Sequence, residues 1–147
     1  MVKRADERRE KAVALGPPIY GLAGQRPLDG FGSHGVNNET TALRLYFGTK
    51  GRRQRLGVET TTEPVDEFSM LSQLVVFVHD KHNYPLTIEE RTAFVEIDGV
   101  VVEYRILAVG DQLWCGAAPV GDRWVFLKGE DVPAGGIRVE PINIADL

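Results

Sequence analysis

Apolar and polar residues alternate from Thr41 to Gly48, with Leu43, Leu45 and Phe47 on one face and Arg44 and Tyr46 on the other. The alternation returns from Arg55 to Thr60 through Leu56 and Val58. Two period-two runs on either side of Lys50-Gly51 predict a hairpin. The period then changes. Phe68, Leu71, Val75, Val78 and His82 are spaced by three and four, with Leu74 beside them, which predicts an amphipathic helix. Pro64, Asp66 and Glu67 suit its first turn, where N–H groups lack partners and the helix dipole is positive. Lys81 and His82 suit the last turn, and Pro85 bars continuation. The run Val75-Val76-Phe77-Val78 would also fit a buried strand.

Period two resumes at Thr92, where Ala93, Val95 and Ile97 alternate with Phe94 and Glu96. Asp98-Gly99 signals a tight turn. Val100 to Val109 is apolar at most positions on both faces, as in a central strand. Two further strands, 112–118 and 123–128, flank Gly121-Asp122, and a short one is expected at 137–140. Residues 41–147 therefore read as an α+β domain: an antiparallel sheet of about five to seven strands, hairpin then meander, packed on one main helix. Trp114 and Trp124 lie on neighbouring strands and are expected in its core.

Residues 1–40 break both periodicities. The first fifteen are dense in charge and rich in helix-favouring Ala, Glu, Lys and Arg, a segment expected to be either helical or disordered. Residues 16–40 are rich in Gly and Pro. They still carry Ile19, Tyr20, Leu22, Leu28 and Phe31, more large apolar groups than a solvated linker needs. Ile19, Tyr20, Leu22 and Phe31 are expected to act as an interaction arm, lying on the chain's own body or on a second copy. Gly30 to Gly35, Gly-Phe-Gly-Ser-His-Gly, fits G-x-G-x-x-G. A dinucleotide fingerprint needs a strand before it and a helix after it to hold the pyrophosphate. Here Gly-Gln-Arg-Pro-Leu-Asp precedes the motif and a strand pattern follows, so it reads as connector, and no cofactor is expected.

Charge adds a division that patterning does not show. The net charge is −4, yet residues 1–60 carry an excess of Lys and Arg and residues 61–147 an excess of Asp and Glu. Such polarity suits steering of a charged partner or front-to-back self-association. The single cysteine, Cys115, excludes an intrachain disulfide and fits a reducing compartment. The N-terminus carries charges where a signal peptide needs an apolar stretch, and no run is long enough to span a bilayer, so a cytoplasmic protein without membrane contact is expected.

Three sets of residues carry candidate chemistry. His79, Asp80 and His82 share a helix end; two histidines three apart face one way but leave a metal shell incomplete. Cys115 lies in a strand with no base marked beside it and reads as a small buried residue. Lys50, Arg52, Arg53 and Arg55 crowd a hairpin tip that could touch phosphates, without a nucleic-acid motif around them. The expectation is a non-enzymatic protein-interaction domain, with self-association among its contacts. The alternatives are a hydrolase using His79, Asp80 and His82, with or without a metal, and a DNA-contacting regulator using the basic tip.

Overall fold

The computed structural model describes residues 2–48, 54–81, 87–110, 113–130, 132 and 135–147; for 2–4 and 75–81 only the backbone is described. Among the described residues, two α-helices and nine strands form an α+β fold. They are α1 (Val2–Leu15), β1 (Ile19–Leu22), β2 (Phe31–Val36), β3 (Glu39–Gly48), β4 (Arg55–Thr61), α2 (Glu67–Lys81), β5 (Glu89–Ile97), β6 (Val100–Val109), β7 (Leu113–Val120), β8 (Arg123–Glu130) and β9 (Arg138–Ile142). One sheet holds every strand in the order β1-β9-β5-β6-β7-β8-β4-β3-β2.

The hairpin β3–β4, the helix and the meander β5 to β8 form where periodicity places them. Asp98, at φ 50°, and Gly99, at φ 81°, make the tight turn between β5 and β6. Asp66 caps α2 by accepting from the Ser69 amide at 2.7 Å, and that hydrogen bond holds its carboxyl below the usual range.

Two expectations need correction. The sheet has nine strands, not five to seven, and it is not purely antiparallel, because β9 runs parallel to β5 through Glu96↔Arg138 and Ile97↔Val139. The extra strands come from the Gly/Pro-rich leader. β1 pairs with β9, from Ile19↔Ile142 to Leu22↔Val139, and β2 pairs with β3 across the position expected as a boundary at residue 40. Residues 2–15, left open between helix and disorder, are helical.

The sheet curls, and its inner face closes over the main core. Leu43, Leu45, Phe47, Val58, Val95, Tyr104, Val125 and Leu127 point inward and are fully buried. Ala12 and Leu15 of α1, Ile19 and Tyr20 of β1 and the side chain of Leu147 fill the same space. The curl brings β1 against β4, where the Tyr20 amide donates to Thr60 Oγ1 at 2.9 Å. Arg8 of α1 is buried and donates to the Leu28 carbonyl at 2.7 Å, while the Leu28 amide donates to the Tyr46 carbonyl, so the β1–β2 connection is held from both sides. Burial pushes the Arg8 pKa down; nearby Asp29 opposes that shift.

A second core lies on the outer face, where Met70 and Leu74 of α2 cover Leu107, Leu113, Cys115 and Phe126. Trp114 is inside, its Nε1 donating to the Val132 carbonyl at 2.6 Å, whereas Trp124 is only half-buried.

Candidate interaction edge

A sheet of this kind has two edges, and they are treated differently. β1 is tucked inward: Ile19 and Tyr20 are buried and Leu22 packs on the core. The Arg123 guanidinium donates to the Leu15 carbonyl at 3.2 Å just before it. β2 is the other edge, and no strand lies beyond it among the described residues. Phe31 is half-buried against the core, but Ser33, His34, Gly35 and Val36 are exposed.

Local chemistry explains the strand. Asn37 and Asn38 both have positive φ, 53° and 66°, the geometry of a two-residue hairpin turn, and Asn tolerates it better than most residues. The register shifts between His34 and Gly35, and a Cβ on Gly35 would stand 2.6 Å from the Glu39 carbonyl oxygen. Only glycine permits that approach. Gly30 to Gly35 thus belongs to an edge strand and its approach, and β2 leads into β3 and not into a helix.

Beside the edge lies a solvent-open hollow of about 330 Å³, lined by Lys11, Ser33, His34, Gly35, Asn38, Glu39 and Thr40. Its rim carries one ammonium and one carboxylate. β2 itself, Phe-Gly-Ser-His-Gly-Val, contains no Asp, Glu, Lys, Arg or Pro. Natural edges are usually guarded by such residues, by a bulge or by a cover; here the single register shift is the guard.

The other candidates fall elsewhere. His79 and Asp80 lie on α2, within the part described by backbone alone, and His82 lies outside the described residues. Lys50, Arg52 and Arg53 also lie outside them; Arg55 opens β4 and is exposed. Among the described residues no three His, Cys, Asp or Glu side chains gather as a metal shell. No described helix is long and apolar enough to cross a membrane.

Cys115 is buried beneath α2, 3.6 Å from the Met70 carbonyl. Burial pushes its thiol from 9.0 up to about 11, with Lys128 and Arg44 opposing. The native thiol is therefore protonated at neutral pH, and its contribution to stability is full below pH 9 and lost as pH rises toward 11. We expect a thiol-specific disulfide reagent at pH 8 to leave the native chain unlabelled and to label it stoichiometrically once it is unfolded in guanidinium. Rapid labelling of the native chain would contradict this burial.

Sequence patterning also missed a buried ion pair on the outer face. Arg44 of β3 and Glu59 of β4 sit on the outer face, their side chains 14% and 11% exposed, with Nε 3.3 Å from the carboxylate. That approach makes an ion pair but no hydrogen bond from Nε. Arg44 Nη2 donates to Gln73 Oε1 of α2 at 2.7 Å, and the guanidinium lies 5.2 Å from the centre of the Phe126 ring. The cluster joins two strands to the helix.

No protein-family model matches the chain, and neither a curated protein nor a solved structure matches it. The functional reading therefore rests on the chain's own geometry.

Proposed function

We propose that this chain is a small non-enzymatic protein-interaction domain that associates with itself through β2. The observation that carries the reading is the contrast between the two sheet edges: one is tucked into the core, and the other is exposed from Ser33 on, carries no Asp, Glu, Lys or Arg, and has no strand beyond it among the described residues. Such an edge offers backbone N–H and C=O groups to an added strand. A second copy of the chain fits it. Antiparallel pairing about a two-fold axis places identical neutral strands side by side. The flanking Lys11 and Glu39 supply both signs, as a self-complementary surface requires. A strongly charged strand would gain from only one of them. Six residues make a short contact, so the association is weak and concentration-dependent.

The test is the solution mass by light scattering over a dilution series. The wild-type mass should climb toward a dimer as concentration rises. Replacing Ser33 and His34 together by Lys should hold the chain monomeric without changing its melting temperature, because both side chains are exposed. A wild-type chain that stays monomeric at millimolar concentration, or a double-lysine variant that dimerises equally well, refutes the reading.

A further inference from the structure

A second surface stands apart from β2, on the outer face of β5 and β6. α2 covers only part of that face. Its first residue, Glu67, reaches Arg105 of β6 at 3.1 Å, and the rows beyond Arg105 keep exposed side chains. Those rows pair Phe94 with Glu103 and Glu96 with Val101. Alternation along both strands turns all four outward, since Val95, Ile97 and Tyr104 are buried in the main core. Phe94 is 61% and Val101 65% exposed, on diagonal positions of one strand pair, and Phe68, next to Glu67, is 77% exposed. Phe94 and Val101 are thus neighbours on one face and not scattered surface hydrophobics.

The charges around them have one predominant sign. Glu96 and Glu103 flank Phe94 and Val101 across the strand pair, and Glu67 and Glu90 lie around Arg105, against the guanidiniums of Arg105 and Arg138. Arg105 is engaged by Glu90 and Glu67, and Arg138 by Glu96 at 2.8 Å. Glu103 makes no ion pair among the described residues, so the rim keeps an acidic excess. We propose that this face docks a basic segment of another protein, one that presents apolar side chains to Phe94 and Val101 and Lys or Arg to the glutamate rim. The same acidic excess disfavours phosphate-bearing surfaces, both nucleic acid and anionic lipid. The proposal does not depend on β2, which lies five strands further along the sheet from β6.

The probe is a fluorescent peptide of about 15 leucines and lysines patterned as an amphipathic helix, long enough for about four helical turns. Its leucine–glutamate counterpart serves as control, and binding to the full chain is read by anisotropy. The lysine peptide should bind with one-to-one stoichiometry and more weakly as salt rises. The glutamate peptide should not bind. Phe94→Thr with Val101→Thr, which keeps strand propensity, should weaken binding about tenfold or more, and Glu103→Lys should weaken it as well. The double-lysine variant of Ser33 and His34 should bind like wild type. Absence of binding, equal binding of both peptides, or undiminished binding by the double-threonine variant overturns the proposal. So does a fall in solution mass on making the double-threonine variant, because the occupant would then be a second copy of this chain.

Discussion

Glu59→Ala is expected to lower the unfolding free energy by about 3 kcal/mol, the scale of losing one partner of a buried ion pair. Arg44 would keep its charge beneath α2 with Gln73 Oε1 still accepting from Nη2 and the Phe126 ring 5.2 Å away, but no carboxylate beside it. A neutral amide and a ring do not replace a carboxylate 3.3 Å away. The cost comes from the stranded guanidinium, so removing both charges should recover most of it. Arg44→Met combined with Glu59→Leu should lie within about 1 kcal/mol of wild type, since buried pairs are often replaceable by apolar groups of similar size. Denaturant titration of the two single variants and the double closes the cycle. A Glu59→Ala variant as stable as wild type would mean that the pair is effectively in water.

Phe47→Ala should be still more damaging, at about 4 kcal/mol, within the range for truncating a buried aromatic side chain. Phe47 is fully buried on β3, and its ring lies under β1: a Cβ placed on Gly21 would stand 2.8 Å from its Cζ. Truncation therefore leaves a void at the point where the leader joins the core. The reciprocal change, Gly21→Ala, should be destabilising by about 1–3 kcal/mol, because the new methyl would run into both the Ile142 side chain and the Phe47 ring. Thermal unfolding of both variants measures this. If either melts like wild type, β1 is not packed as described.

That glycine also shows why the leader was hard to read in the sequence. The β3–β4 hairpin and the strands β5 and β6 announce themselves because large apolar side chains recur at alternate positions, and Lys50-Gly51, Asp98-Gly99, Gly110-Asp111 and Gly121-Asp122 mark the turns. In β1 and β2 the marking positions are partly glycine. Gly21 is small because Phe47 and Ile142 occupy its space, and Gly35 because the Glu39 carbonyl does. The features that let these strands form thus erase their periodicity. Asn37-Asn38 was the remaining signal, a pair suited to a two-residue turn. The parallel pairing of β5 with β9 left no local trace, since nothing in either strand names a partner some forty residues away. Arg44 and Glu59 look like ordinary outward polar positions, and their burial appears only once α2 is laid across the outer face.

The pairing of β1 with β9 also bears on how the polypeptide reaches this shape. Ile19 meets Ile142 and Leu22 meets Val139. A chain emerging from the ribosome can zip the β3–β4 hairpin and the β5–β8 ribbons early, from neighbours in sequence. It cannot pair β1 until β9 has been synthesised. Such distant closures slow folding and leave sticky surface open in the meantime. The polar, charge-rich α1 just upstream is the part of the nascent chain best suited to keep that waiting segment dispersed.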